Sequence, residues 1–370
     1  MKIVYLYSSL AITGGVERVL VDKMNYLVNY YGYELYMITS DQGQHPVPYQ
    51  LDERIHLLDL QIRFHAQYRY RGWQRLKEVR RLSRLYHQRL KEKLKEISPD
   101  IIVCTTSQDV HGLLQIKGRI PLIIECHVNF IHPDSWLQRA RTLYNNYWIG
   151  KADAVVTLTQ GDAKNWQHVS RNVYIIPNIV NLNDTGRFSD CVNKRAVFVG
   201  RLVEQKGIPD LIEIWRIVNS RYPDWQLDVF GNGEMKSIPD IKLFVHPPTK
   251  NIMEEYMNSS MLLMTSIYEP FGLVLPEAMS SGLPVVAFNC SYGPADIITH
   301  KSNGFLVQDR DISRYADYVC QLIESPGLRQ TMGTAGVKAV QRYQADKIMP
   351  QWRELFVSLT SKEPSSRRTI

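Results

Sequence analysis

Cysteine is scarce in this 370-residue chain, and no two cysteines form a closely spaced pair. The five cysteines are scattered and odd in number, which argues against a disulfide framework and against a structural zinc site. Long apolar runs are missing as well. The N-terminal stretch MKIVYLYSSLAITGGVERVL starts like a signal peptide, but glycines and charged residues interrupt it before it could span a bilayer. We therefore expect a soluble, cytosolic protein that begins with a buried strand.

Acidic residues are fewer than basic ones, 37 against 44, so the formal net charge is +7. This balance favours an anionic partner, such as a phosphorylated metabolite or an acidic membrane surface. Nucleic acid is disfavoured as a partner because the chain has no recognisable nucleic-acid docking motif. Hydrophobic residues make up 44% of the chain, which is typical of a globular protein, and the length suits two domains.

Short apolar runs alternate with amphipathic helical patterns, which predicts parallel sheets with crossover helices. The strands predicted in the first half are 2–8, 34–40, 101–106, 121–127, 154–159 and 173–178. Those predicted in the second half are 195–200, 226–231, 241–245, 261–266, 283–288 and 304–307. Each half therefore has enough strands for its own doubly wound sheet.

A polar, turn-rich segment without periodicity separates the two halves and is interpreted as a linker. One long last helix is predicted from about Gly333 to Leu359. The predicted parts are an N-terminal domain (1–180), the linker (181–194), a C-terminal domain (195–345), a helix that crosses back to the N-terminal domain (346–360) and a flexible tail (361–370).

Residues 69–96 form a helical pattern with a basic surface. Apolar residues recur at helical spacing from Trp73 to Leu94, and Lys and Arg occupy much of the remaining surface. Two interpretations stay open. The apolar stripe packs on a sheet, or the helix lies on an anionic membrane surface.

In open α/β sheets, ligands bind beyond the carboxyl ends of the strands. After the first strand, Gly14 and Gly15 place bare amides before a helical pattern, where they suit a phosphate, although a simple turn would look the same. After strand 195–200, Arg201 and Lys206 precede another helix. Two cations and a helix N-terminus predict a diphosphate clamp.

Two glutamates flank an apolar stretch in SIYEPFGLVLPEAMSSGLPVVA. Glu269 is expected in a loop at a strand end, and Glu277 in a helix that begins near Val274. Burying an unpaired carboxylate is costly, so both carboxylates need a purpose. Carboxylates can accept hydrogen bonds from the neighbouring hydroxyls of ribose and hexose rings. With the two cations, they predict a nucleotide-sugar site.

The E-x₇-E spacing in EPFGLVLPEAMSSGLPVVA, with VGRLVEQKG before it and GPADIITHKSNGFLV after it, resembles the retaining glycosyltransferases of family 4. GGVERV, VVTLT and IIPNIV extend the resemblance over essentially the whole chain. The resemblance implies the GT-B fold, which is an α/β architecture of two Rossmann-like, doubly wound parallel-sheet domains facing a central cleft. The N-terminal domain would bind the acceptor and the C-terminal domain the nucleotide sugar.

The resemblance also implies roles for individual residues. Glu277 would accept hydrogen bonds from the donor ribose, and Glu269 would hold hydroxyls of the transferred sugar. Arg201 and Lys206 would neutralise the leaving diphosphate, and segment 244–250 would cradle the base. The other implied donor-binding residues are Gly14, Gly15, Gly200, His246, Pro270, Phe271, Gly272 and Leu273.

His127 ends a predicted strand, at a place where many family members have a His or Asp beside the sugar. It is therefore implied as a catalytic residue together with Glu269, Arg201 and Lys206, although a structural histidine remains the alternative. Glu125 is excluded, because strand alternation is expected to turn it away from His127.

The implied reaction moves a sugar from a nucleotide diphosphate, most often UDP, to an acceptor hydroxyl with retained configuration. The nucleotide sugar is a co-substrate, and neither a cofactor nor a metal is expected. The leaving group departs through charge neutralisation, and the leaving phosphate helps to deprotonate the acceptor. The D-x-D sequence at Asp309–Asp311 lies between a strand and a helix, which favours a helix N-cap over a manganese site.

GPADII resembles the variant found in transferases that build bacterial surface glycans. With the basic helix 69–96, it suggests a glycan or lipid-linked acceptor, such as lipopolysaccharide, at the cytoplasmic membrane face. A nucleotide-sugar epimerase of the same fold is the alternative, because it would also bind a diphosphate. A non-enzymatic protein of this fold is disfavoured because the two glutamates and two cations are all present.

Overall fold

A computed structural model describes residues 1–105, 109–128, 130 and 135–361. The chain divides into two compact units. Unit 1 consists of Met1–Thr157, Ala163–Ile179 and the chain from Ile348 onward, and unit 2 of Leu158–Asp162 and Val180–Lys347. Except for Ser361, the predicted flexible tail lies outside the described residues.

The described part of unit 1 forms a seven-stranded sheet in the order β3-β2-β1-β4-β5-β6-β7, with parallel pairing throughout. Its strands are β1 (Lys2–Tyr7), β2 (Glu34–Thr39), β3 (His56–Asp59), β4 (Ile101–Thr105), β5 (Leu122–Glu125), β6 (Ala154–Thr157) and β7 (Val173–Ile175). Its helices are α1 (Gly15–Tyr31), α2 (Gly72–Ile97), α3 (Val110–Ile116) and α4 (Trp136–Ile149), and α5 (Gln160–Trp166) begins in unit 2. All six predicted strands are confirmed, and only the short, partly exposed β3 was not predicted.

Unit 2 contains a six-stranded parallel sheet in the order β10-β9-β8-β11-β13-β15. Its strands are β8 (Arg195–Val199), β9 (Gln226–Phe230), β10 (Leu243–His246), β11 (Met261–Met264), β13 (Val285–Phe288) and β15 (Gly304–Val307), all of which were predicted. The short strands β12 (Tyr268–Glu269) and β14 (Ser291–Tyr292) pair separately. The helices are α6 (Ile208–Arg221), α7 (Ile252–Met257), α8 (Val274–Ser280), α9 (Gly293–Ile297), α10 (Ile312–Glu324) and α11 (Pro326–Val340).

The prediction of one long last helix is wrong. The chain forms α11, then a 3-10 turn at Gln341–Tyr343, and then α12 (Ala345–Thr360). Tyr343 is buried at this break, and its ring packs edge-on against Phe271 with the ring centroids 5.2 Å apart. The burial of this side chain interrupts a helical pattern that the sequence presents as continuous.

The basic helical pattern predicted at 69–96 forms α2, and its apolar residues divide into two groups. Leu82, Tyr86, Leu90 and Leu94 are buried in the core of unit 1. Trp73, by contrast, is 81% exposed, and Leu76 is also exposed. The packing interpretation therefore holds for the C-terminal part of α2. None of the described helices is both long enough and apolar enough to cross a membrane.

A buried ion pair joins α1 to the end of β5 in unit 1. The Lys23 Nζ atom lies 2.5 Å from Glu125 Oε2, and both side chains are 2% exposed. The Lys23 ammonium also lies 4.0 Å from the ring of Trp352 on α12 and 5.1 Å from that of Tyr5. Burial acts to raise the pKa of Glu125, but Lys23 and then His127 outweigh it and lower that pKa to about 2.

This geometry predicts that Lys23→Met destabilises the protein by about 3 kcal/mol, because it leaves a buried carboxylate without its cation. Adding Glu125→Leu should recover part of the loss, since the second change removes the stranded charge. Urea unfolding followed by circular dichroism measures both variants. In the matched control, Lys194→Met removes one partner of an exposed pair with Asp224 and should cost at most about 1 kcal/mol. A double variant less stable than Lys23→Met alone would contradict this account.

Candidate functional site

The loop after β8 carries the two predicted cations, and they have different environments. Arg201 is exposed, and its Nη2 atom donates to Gln205 Oε1 at 3.4 Å. Lys206 turns inward, and its Nζ atom lies 2.5 Å from Glu269 Oε2. The structure thus brings one predicted cation and one predicted carboxylate into direct contact. Gly200, at the start of this loop, lies beside the Lys206 side chain, because a Cβ atom there would meet Lys206 Cε at 3.5 Å.

Glu269, expected in a loop, ends the two-residue strand β12 that follows the loop after β11, and the residue is only 8% exposed. Ser266 Oγ donates to Glu269 Oε2 at 3.1 Å, so a hydroxyl and an ammonium share one carboxylate oxygen. Burial, and then the negative charge of Glu269, raises the pKa of the neighbouring Cys290 thiol to about 12. The Glu269 carboxylate, which is costly to bury alone, thus has its countercharge from Lys206, 63 positions away in the sequence.

Backbone hydrogen bonds join these two loops. The Ile267 amide donates to the Gln205 carbonyl at 2.8 Å, and Thr265 Oγ1 donates to the Lys206 carbonyl at 2.9 Å. Gln205 Nε2 also donates to the Tyr268 carbonyl at 3.3 Å. The relative position of Lys206 and Glu269 therefore depends on how the loops meet as well as on their own attraction.

The predicted helix near Val274 is confirmed as α8, and it carries Glu277, which is only 4% exposed. Pro270, Phe271, Gly272 and Leu273 form the turn between Glu269 and this helix. Gly272 has a φ of +89°, which favours glycine, and a Cβ atom there would lie 3.1 Å from Glu269 Cγ. The turn thus brings the backbone close to the Glu269 side chain.

His246 ends β10, and its side chain already has partners within unit 2. Its Nε2 atom lies 2.6 Å from Asp228 Oδ1, and its ring stacks on Phe230 with the centroids 4.8 Å apart. Asp228 also pairs with Arg195. Burial acts to raise the pKa of Asp228, but Arg195 and His246 outweigh it, and the pKa is lowered. The imidazole is therefore part of a charged cluster on the sheet.

The remaining predicted site residues lie in unit 1. Gly14 caps α1 and Gly15 is its first residue. A Cβ atom at Gly14 would lie 2.3 Å from Glu17 Oε2, so a larger residue there would displace the Glu17 carboxylate. Glu17 is buried and accepts a hydrogen bond from Tyr7 Oη at 2.8 Å. Sequence reasoning did not single out Glu17, although it lies within the GGVERV motif.

The reason given for excluding Glu125, that its side chain points away from that of His127, is wrong. Its Oε1 atom lies 3.2 Å from His127 Nε2, and both side chains are buried. Residues two positions apart in an extended chain point to the same side, so strand alternation brings these side chains together. The buried Lys23–Glu125 pair therefore extends to His127.

The interpretation of the D-x-D sequence is confirmed. The side chain of Asp311 caps α10 by accepting a hydrogen bond from the Arg314 amide at 2.8 Å. The middle residue, Arg310, turns back towards the loop after β11 and donates to the Ser266 carbonyl at 3.0 Å. Sequence reasoning missed this arginine, because only the tertiary structure brings it to that loop.

Gly207 links Lys206 to α6 and provides a test of how closely the two loops approach. Its φ is +63°, and a Cβ atom there would lie 2.1 Å from the Thr265 carbonyl oxygen. We expect Gly207→Ala to lower the free energy of unfolding by about 2 kcal/mol or more, because of both the backbone strain and the clash. Thermal unfolding measures the effect.

The matched control for this prediction is Gly327→Ala on α11, where a Cβ atom would meet nothing within 4 Å. It should be neutral within about 0.5 kcal/mol. Equal stability of the Gly207 variant and the wild type would show that the loops approach less closely than described.

Two family models match the chain, one on each half. The model described as Glycosyltransferase Family 4 matches residues 13–184. The model described as Glycosyl transferases group 1 matches residues 188–339, which contain the cations and glutamates of the loops after β8 and β11.

Two curated relatives match over nearly their whole length. An uncharacterised glycosyltransferase of Haemophilus influenzae is 28% identical over 372 residues, covering 96% of this chain and 99% of the relative. The amylovoran biosynthesis glycosyltransferase AmsD of Erwinia amylovora is 28% identical over 381 residues, with the same coverage of 96% and 99%.

Solved structures share the fold at low sequence identity. A TarM mutant of S. aureus, in complex with fondaparinux, alpha-GlcNAc-glycerol and UDP, has a TM-score of 0.76 at 16% identity, covering 96% of this chain and 99% of its own. Alr3699/HepE of Anabaena, in complex with UDP and glucose, has a TM-score of 0.72 at 19% identity, covering 97% and 100%. The predicted fold is confirmed, and the matches on both halves show that the chain belongs to the GT-B glycosyltransferases, with a family 4 N-terminal half and a group 1 C-terminal half.

Proposed function

We propose that the protein transfers a sugar from a nucleotide-diphosphate sugar, with UDP as the carrier, to a hydroxyl of a glycan or lipid-linked glycan during cell-surface polysaccharide synthesis. The configuration at the anomeric carbon is retained, and neither a metal nor a cofactor takes part. The observation that carries the proposal is the pairing of Lys206 with Glu269 on adjacent strand-end loops, followed by Glu277 on α8.

The relatives support the class of reaction and the carrier. AmsD takes its name from the biosynthesis of amylovoran, and TarM and HepE were both solved with UDP. HepE was also solved with glucose and TarM with alpha-GlcNAc-glycerol, which supports a sugar donor and a hydroxyl-bearing acceptor. The relatives and structures described above include no epimerase, and nothing in the site favours that alternative.

Lys206 suits a diphosphate even though it already pairs with Glu269. An ammonium group has three N–H donors, so it can keep its bond to the carboxylate and still donate to a phosphate oxygen. Arg201 is exposed at the start of the same loop and adds a second positive charge. Glu269 in turn keeps a free acceptor capacity for sugar hydroxyls on its second oxygen. In this proposal the two cations neutralise the negative charge of the diphosphate, which other transferases neutralise with a metal ion.

In the proposed reaction, the bond between the anomeric carbon and the β-phosphate oxygen breaks. The acceptor oxygen forms its bond to that carbon from the same face, and the acceptor proton passes to a leaving phosphate oxygen. The diphosphate gains negative charge as it departs, and Lys206 and Arg201 stabilise that charge. Glu269 acts through hydrogen bonds to the sugar, and no covalent intermediate is invoked. Glu277 holds the ribose.

We expect Glu277→Ala to weaken the binding of UDP and of the matching UDP-sugar about 10- to 100-fold, because the hydrogen bonds that the donor makes to this carboxylate are lost. Folding should suffer much less, because the change also removes a buried charge. Isothermal titration calorimetry and thermal unfolding measure the two effects. The control is Glu324→Ala at the end of α10, an exposed glutamate in the same unit. Unfolding of the variant with intact donor affinity would contradict the role of Glu277.

The reaction itself is tested with a panel of nucleotide sugars and a lipid-diphosphate glycan acceptor. The proposal predicts an acceptor-dependent product, and NMR of the new linkage should show the same anomeric configuration as in the donor. A new sugar nucleotide formed without acceptor would identify an epimerase. A product with inverted configuration would overturn the proposed stereochemistry.

The N-terminal part of α2 and the turn before it suit an anionic membrane surface, which would place the acceptor side of the enzyme at the cytoplasmic membrane face. Between residues 69 and 84 the chain has one acidic residue, Glu78, and seven basic ones, Arg69, Arg71, Arg75, Lys77, Arg80, Arg81 and Arg84. The exposed side chains of Tyr68, Tyr70 and Trp73 lie among them. Exposed aromatics next to cations are typical of interfacial helices.

A second exposed helix, α4, has the same character. Trp136 is 74% exposed, Leu143 is 71% exposed, and the helix sequence contains two arginines and no acidic residue. Helix α3 lies between α2 and α4. His87 on α2 lies 3.4 Å from Asp109 at the α3 cap, and Tyr144 on α4 contacts His111 on α3. Charge complementarity therefore favours anionic lipid as the partner of this part of unit 1.

We expect Arg80→Gln with Arg84→Gln to weaken binding to vesicles of anionic lipid roughly tenfold or more, at about 1 kcal/mol per cation. Arg81 is left in place because it pairs with Glu78 at 2.7 Å. The control, Lys91→Gln with Lys95→Gln, removes the same charge from the other end of α2 and should change binding less than threefold or so. Vesicle co-sedimentation measures both, and equal losses, or no binding by the wild type, would contradict the proposed surface.

A further inference from the structure

Arg310 lies outside the motifs that carry the proposed chemistry, yet its guanidinium contacts three segments around the Lys206–Glu269 pair. Its Nη1 atom donates to the Ser266 carbonyl at 3.0 Å, and its Nη2 atom donates to the Thr265 carbonyl at 3.1 Å. Both carbonyls belong to the loop that carries Glu269. The guanidinium thus binds two consecutive backbone carbonyls of that loop.

The same guanidinium holds the loop that carries Lys206. Nη2 forms an ion pair with Asp210 in the first turn of α6, directly after that loop. A Cβ atom at Gly207 would lie 2.9 Å from Arg310 Nη2 and 2.1 Å from the Thr265 carbonyl oxygen. Arg310 therefore lies beside the point where Gly207 of one loop meets Thr265 of the other.

The local backbone directs Arg310 to this place. Asp309 and Arg310 have φ values of +51° and +53°, which non-glycine residues rarely adopt, and Asp311 then caps α10. The Arg310 guanidinium carbon lies 4.5 Å from the centre of the Phe288 ring at the end of β13. Two consecutive residues in a left-handed conformation persist only where surrounding contacts hold them.

We infer that Arg310 is a positioning residue for transfer, which sets the geometry of Lys206 against Glu269 by clamping their two loops together. This inference rests on the proposed function, in which those two side chains contact the diphosphate and the sugar. Arg310 itself touches neither reacting group. An arginine suits the task because its planar group donates in several directions at once, whereas a lysine offers a single point charge.

The test compares Arg310→Gln, Arg310→Lys and Lys206→Ala with the wild type in the transfer assay. Arg310→Gln should lower kcat about tenfold or more with a smaller change in the KM for donor, because misplacing a charge-stabilising group affects the transition state most. Arg310→Lys should fall between Arg310→Gln and the wild type. The control is Arg314→Gln, an exposed arginine one turn along on α10, which should leave kcat unchanged.

The double variant Arg310→Gln with Lys206→Ala separates positioning from general stability. If Arg310 acts through Lys206, the second change adds little to the loss in kcat that Lys206→Ala causes. Multiplied losses would overturn the inference while leaving the role of Lys206 intact. If neither single change lowered the rate of transfer, the proposed function of the site would be contradicted instead.

Hydrogen exchange provides a measurement that depends on neither donor nor activity. Without ligand, Arg310→Gln should speed exchange at the Ile267 amide, which bonds to the Gln205 carbonyl across the two loops. Arg314→Gln should leave that amide as protected as in the wild type. Unchanged protection in Arg310→Gln would overturn the inference even if the protein proved to have another activity.

Discussion

The parallel direction of the strands is the constraint on which both the candidate site in unit 2 and the buried ion pair in unit 1 depend. In a parallel sheet every strand ends at the same edge, so loops far apart in sequence become neighbours. In unit 2, strands β8 and β11 are adjacent, and the loops that follow them bring Lys206 against Glu269. Neither residue could find the other through local structure, because 63 positions separate them.

In both units a buried carboxylate is stabilised by a lysine that is distant in sequence. A carboxylate at a strand end is buried together with a lysine from another segment, Glu269 with Lys206 in unit 2 and Glu125 with Lys23 in unit 1. In each case the interior position would be costly without the cation. The two pairs differ in what surrounds them. Aromatic rings lie against Lys23, whereas Lys206 ends a 3-10 helix and lies beside Gly200 and Gly207.

Much of the fold was predictable, because alternating apolar runs and helical patterns are local signals. All twelve predicted strands formed, and the turn at Pro270–Leu273 leads into α8 as expected. The missed elements are those whose signals are weak or non-local. β3 is short and partly exposed, and the break between α11 and α12 depends on the burial of Tyr343 against Phe271. Glu125 was excluded through a wrong use of strand alternation. Its spacing of two residues from His127 predicts that both side chains lie on the same side of the strand.

The sequence by itself determined the two sheets, the family and the glutamates and cations that define the candidate donor site, because periodicity and motif spacing are properties of neighbouring residues. Only the tertiary structure decided which charges pair and which side chains are exposed. It paired Lys206 with Glu269 and Lys23 with Glu125, and it brought Arg310 onto both loops. It also buried one end of α2 and exposed the other. The physical reason is that burial and ion pairing depend on distance in space, which chain order does not specify.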